Sequence, residues 1–103
     1  MVLKYEKAVR NRIPEIIKAD GRNCEFVVLD DASFLQEMNK KLTEETSEYN
    51  KNNSIEEIVD ILEVSYRIAE LQGYNKETIE KIRKRKNIER GNFSNNIFLI
   101  SST

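Results

Sequence analysis

The sequence predicts a mainly α-helical domain organised around an antiparallel helix hairpin. Three long segments carry apolar residues at three- and four-residue spacing, two of them are bracketed by cap and stop residues, and the connections between them are short. A length of 103 residues corresponds to one domain spanning 1–103, because cores seldom subdivide below about 100 to 150 residues. Folding at this size removes only about 60 to 65% of the unfolded chain's surface, so subunit pairing into a homo-dimer or homo-tetramer is expected.

Taken in order, a first short helix is predicted over Ile13 to Ala19, where Pro14 suits the first turn and Gly21 supplies a stop. The run Cys24 to Leu29 is β-branched and aromatic between turn residues and reads as a strand. The tail Asn96 to Ile100 has the same character, so a small two-stranded β element between the two is expected. The first long helix runs from Asp31 or Ala32 to Lys51, with Phe34, Leu35, Met38, Leu42 and Tyr49 on its stripe. Ser54 caps the second, with Glu57 as its capping-box partner, and Gly73 follows its end at Leu71. Asn75 caps the third, Lys76 to about Glu89, which Gly91 stops.

Composition restricts the chemistry. The absence of histidine and the single cysteine, Cys24, exclude a Ser-His-Asp triad, a Cys-His nucleophile, a His-ligated metal and an internal disulfide. Catalysis would fall to carboxylates, hydroxyls and cations. The near balance of Lys+Arg 17 and Asp+Glu 18, net charge -1, disfavours nucleic-acid binding through a global positive field. Apolar runs are far shorter than the roughly 20 residues that cross a bilayer, and the N-terminus has no apolar signal region, so no membrane association is expected. With one thiol and no export signal, the cytoplasm is the expected compartment.

The acidic residues lie in unexpected places. With Leu35 at zero and about 100° per residue, Phe34 falls near about 260°, Met38 about 300° and Leu42 about 340°. Glu45, at about 280°, sits inside this apolar face, while Glu48 borders it at about 220° and Glu44 points away at about 180°. On the next helix, Glu57 shares a face with Ile61, Val64 and Ile68, and Asp60 lies where that face meets a polar stripe. In a hairpin centred between Asn52 and Asn53, Glu48 and Glu57 are equidistant from the centre, as are Glu45 and Asp60. Two facing rungs of carboxylates, with no basic residue evident on the inner faces, would suit a hard divalent ion such as Mg²⁺ or Mn²⁺. The plain alternative is a pair of solvated acidic faces, with Glu57 merely completing its capping box.

Glu44-Glu45-Thr46-Ser47-Glu48 followed by Glu57-Ile58-Val59-Asp60 resembles the EExxE and ExxD signature of the MazG-like, all-α nucleoside triphosphate pyrophosphohydrolases, a superfamily that includes phosphoribosyl-ATP pyrophosphohydrolase. The spacing between the two halves is at the short end for that family and calls for a tight hairpin. Lys86 to Arg90 resembles the family's KxxxR phosphate-binding element. Lys7 to Pro14 is similar to the LVRDKIP start of a small single-domain branch, with Asn11 and Arg12 in place of Asp and Lys. Arg90 to Phe93 and Ile97 to Leu99 are similar to its RGGF and IFL ending.

The resemblance implies a MazG-like helical bundle that cleaves a nucleoside triphosphate, non-standard or surplus, to monophosphate and pyrophosphate. It implies that Glu45, Glu48, Glu57 and Asp60 hold Mg²⁺, with Mn²⁺ as a substitute, and that the ion activates a water for in-line attack. Glu44 is the candidate proton acceptor. Lys86 and Arg90 would hold the phosphates, with Arg83 and Lys84 as helpers. These cations also have plainer readings, as solvated residues or as charges offsetting the helix dipole, and Arg10 and Arg12 could pair with surface acids. Tyr5, Tyr49, Tyr66 and Phe93 could stack on a base but are core residues first, and Cys24 is expected to be inert. The competing expectations are a non-catalytic helical interaction module with a structural cation, and phosphoribosyl-ATP hydrolysis, from which the LVRDKIP-like start and RGxF-like end point away.

Overall fold

The computed structural model describes residues 6–103 and is all-helical, with α1 (Ile13–Ala19), α2 (Asp31–Asn52), α3 (Ile55–Leu71) and α4 (Lys76–Arg90) in chain order. Tyr5 lies outside the described residues. Local signals account for the helix ends. Asp30 opens α2 by accepting from the Ser33 amide at 2.8 Å, which holds its carboxyl below the ordinary range. Asn75 opens α4 by accepting from the Thr78 amide at 2.8 Å, and Gly91 closes α4 at φ 82°, a left-handed conformation that glycine adopts without strain.

The turn between α2 and α3 sets the geometry of everything that follows. Asn53 adopts the left-handed conformation at φ 51° and donates its amide to the Tyr49 carbonyl at 2.7 Å. Ser54 immediately caps α3, accepting from the Glu56 amide at 3.2 Å. A reversal confined to Asn53 and Ser54 turns the chain back on itself, and α2 and α3 pack together as the predicted hairpin. The expected capping box does not close, because the Glu57 carboxyl bonds to Glu45 across the hairpin instead of turning back to Ser54.

Between the two helices, Met38 and Val64 are buried at 7% and 6% exposure, and Glu45 is the third buried residue among those described. Phe34, Leu42, Ile61 and Ile68 are half-buried around them. The Arg67 guanidinium stacks 5.8 Å from the centre of the Phe34 ring, a cation–π contact that ties α3 to α2. α4 rests on α3, where Lys76 lies 4.6 Å over the ring of Tyr66. α1 packs on none of the other helices.

The expected β pair is absent: neither 24–29 nor 96–100 forms a strand. Both stretches are exposed, Val28 at 90% and Phe98 at 87%. β-Propensity reflects packing on a pleated, half-buried surface, and an isolated two-stranded pair is marginal in water. Here no helix covers either segment, so their composition alone does not assemble a sheet.

The chain is open for its size. Its radius of gyration is 18.0 Å, where a compact domain of this length has about 13 Å. It exposes 9470 Å², where a folded 12.1 kDa monomer exposes about 6,000 Å². The hairpin's small core should therefore dominate its stability. Met38→Ala is expected to cost about 2 to 3 kcal/mol in urea unfolding, whereas Val28→Ala on the exposed segment should stay within about 0.5 kcal/mol of the parent.

Candidate carboxylate site

The inner faces of α2 and α3 bring three carboxylates together. Oxygens of Glu45, Glu57 and Asp60 all lie within 4.8 Å of one another. Glu45 projects from a buried position on α2 at 8% exposure, while Glu57 and Asp60 are half-buried on α3. Three acids this close cannot all carry full charge without compensation. Their proximity shows on Glu57, whose carboxyl is held above its ordinary range by its hydrogen bond to Glu45, then by partial burial and the charges of Glu45, Asp60 and Glu48.

Cations supply compensation. Lys41, one turn before Glu45 on α2 and itself only 19% exposed, places Nζ 3.5 Å from Glu45 and 3.8 Å from Glu44. Arg10, from the segment preceding α1, donates from Nη2 to Asp60 Oδ1 at 2.6 Å. Its own pKa is raised first by that bond, and the charges of Asp60, Glu63 and Glu45 act in the same direction against partial desolvation. Lys7 approaches Glu44 at 3.7 Å.

Glu48 stands beside the cluster, close enough for its charge to act on Glu57 but outside the three-oxygen set. The hydrogen bond thus joins Glu57 to Glu45, one helical turn from the expected Glu48–Glu57 rung. The wheel explains the choice, since Glu45 lies inside the apolar stripe facing α3 and Glu48 lies at its border. Glu44 sits on the outer side with Lys7 and Lys41.

The basic residues expected at the phosphates are all on α4. Arg83 is held by Glu80 through contacts of 2.8 to 3.2 Å. That pairing lowers the Glu80 carboxyl and raises the Arg83 guanidinium. Lys84, Lys86 and Arg90 are exposed. Among the described residues no hydrogen bond or ion pair links the α4 cations to the carboxylate cluster. Arg12 pairs with Glu15 at 3.3 Å, Phe93 is 97% exposed, Tyr49 is half-buried on α2, and Cys24 is half-buried with its sulfur facing the Pro14 carbonyl at 3.9 Å.

The inner face was expected to lack a cation, and Lys41 corrects that. The signal was in the spacing: Lys41 is four residues before Glu45 and falls at about 240° on the same wheel, between Glu48 and Phe34. Arg10 is fifty residues from Asp60, and no local pattern joins them. The donor set is made of hard oxygens with no nitrogen or sulfur ligand, so the residues present fit Mg²⁺ or Mn²⁺ better than zinc or copper.

Because Glu57 has a raised pKa in the folded state, its contribution to stability is full below the ordinary carboxyl value of about 4.3 and is lost as pH rises through the raised value. Glu57→Gln removes that loss. Thermal melts should show the variant more stable than the parent at pH 7, with the advantage gone by about pH 4.

Among the described residues no helix is long and apolar enough to cross a membrane. No protein-family model, no curated protein and no solved structure matches the chain.

Proposed function

We propose that the chain is a divalent-cation-dependent nucleoside triphosphate pyrophosphohydrolase of the MazG-like kind, working in the cytoplasm on non-standard or surplus nucleotides. The observation that carries this reading is the convergence of Glu45, Glu57 and Asp60 from two antiparallel helices, at the positions of the EExxE and ExxD elements. Glu45, Glu57 and Asp60, with Glu48 beside them, would hold Mg²⁺ or Mn²⁺. Such an ion supplies charge compensation for phosphate oxygens and a more acidic bound water.

The protein's own groups divide the remaining work. Glu44, at the outer side of the cluster, is the candidate to accept the proton of the attacking water. Lys86 and Arg90, one helical turn apart and with no hydrogen bond or ion pair among the described residues, are the candidates to hold the β and γ phosphates. Arg83 is less available, because Glu80 already engages it.

The working unit in this reading is a homo-oligomer. α3 is apolar on two opposite sides: α2 covers the Ile61, Val64 and Ile68 side, while Ile55, Val59 and Leu62 remain 71%, 49% and 51% exposed on the other. The chain exposes about 3,500 Å² more than a compact monomer of its mass, an excess on the scale of obligate subunit interfaces. A second copy seated on the outer face of α3 would cover that stripe.

One observation favours a second reading, a non-catalytic helical module: Lys41 and Arg10 pair with Glu45 and Asp60, so the protein's own cations balance part of the acidic charge. Pyrophosphate release from a panel of standard and damaged nucleotides, with and without Mg²⁺, separates the two. Turnover should require the metal, and Glu57→Gln and Asp60→Asn should lower it at least about 100-fold while the helical circular dichroism persists. No turnover of any nucleotide, together with no divalent binding by calorimetry, would leave the module. Sedimentation should show a dimer or larger species that Leu62→Glu dissociates, and a parent chain that sediments as a monomer would remove the oligomer from the proposal.

A further inference from the structure

Arg10 holds a carboxylate that a metal ion at this cluster would share. Its Nη2 lies 2.6 Å from Asp60 Oδ1, and Asp60 belongs to the three-carboxylate set. A guanidinium cannot shed its proton at any relevant pH, so its charge cannot be neutralised in place when a doubly charged ion approaches the same carboxylate. An ion that takes the same oxygen competes with the guanidinium for Asp60, and the surroundings permit Arg10 to move. The Arg10 side chain is 56% exposed, and the helix that follows it, α1, packs on no other helix.

Resting on the metal-binding reading of the carboxylates, we propose that Arg10 is a charge latch. It acts as counter-ion to Asp60 in the metal-free protein and, once displaced by a divalent cation, becomes a positioning residue for the triphosphate. A planar fork of donors released beside the carboxylates is suited to bidentate phosphate binding. Because each event favours the other, metal and triphosphate bind with positive coupling: an ion on Asp60 frees Arg10 for phosphate, and phosphate drawing Arg10 away opens Asp60 to the ion. The segment resembling the LVRDKIP start thereby acquires a role in this chain through Arg10, whereas Arg12 faces Glu15 within its own turn.

Calorimetric titration of the full chain with Mn²⁺ alone, comparing the parent with Arg10→Gln and Arg10→Lys, tests the first half. Arg10→Gln should bind Mn²⁺ about two- to fivefold more tightly, the range expected for removing one exposed ion pair, and Arg10→Lys should return the affinity toward the parent. Inorganic tripolyphosphate, added as its Mn²⁺ complex, tests the second half. Arg10→Gln should bind it about tenfold more weakly, and Arg10→Lys should restore this only in part, because an ammonium lacks the fork. Equal Mn²⁺ affinity in parent and Arg10→Gln would overturn the latch while leaving the metal site standing. Unchanged tripolyphosphate affinity would overturn the positioning role. If neither protein binds Mn²⁺, the metal-binding reading falls and the latch falls with it; binding by Arg10→Gln alone would support the latch most directly.

Discussion

Carboxylates of α2 and α3 face one another across the helix hairpin, and the rest of the structure answers that repulsion. An acid buried as deeply as Glu45, against a second acid on the neighbouring helix, would drive the helices apart unless its charge were shared or balanced. The protein uses three means. The Glu57 carboxyl is held above its ordinary range, Lys41 folds along α2 to meet Glu45, and Arg10 reaches from the N-terminal segment to Asp60.

The same constraint explains the small core. Inward-facing positions that another hairpin would give to leucine or isoleucine are here given to acids, so the apolar contact between α2 and α3 centres on Met38 and Val64. The Arg67–Phe34 contact adds a cation where aliphatic packing is thin. With so little buried in one chain, the apolar outer side of α3 and the large exposed area give subunit association an obvious energetic purpose. The carboxylate cluster and the small core thus have a common origin in the acids placed on the inner helix faces.

The helices were largely legible because their signals are local. Ser54, Asn75 and Gly91 act on amides or carbonyls within a turn of themselves, and the helices begin and end within a residue or two of those signals. Glu45 and Asp60 were legible for a related reason, since a two-residue reversal followed by regular helices leaves little freedom in which residues face across it. The strands expected at 24–29 and 96–100 depended on a distant partner and a covered face, neither of which a short apolar run encodes. Glu57 shows the boundary between the two kinds of information. Its capping-box spacing was correct, but in the fold its carboxyl faces Glu45 and Asp60 on the inner faces of the hairpin.

Alone, the sequence determined the helical class, the hairpin, the faces on which the acids lie and the kinds of chemistry that a chain without histidine cannot perform. These follow from periodicity, capping and residue type, which operate over a few residues. Only the tertiary structure decided which acids actually meet, that Glu57 turns to Glu45 and leaves Glu48 at the edge, and that Arg10 spans fifty residues to reach Asp60. Such pairings depend on the rotation of two helices about each other and on where a loosely held segment comes to rest, and both are set by packing and charge across the whole fold.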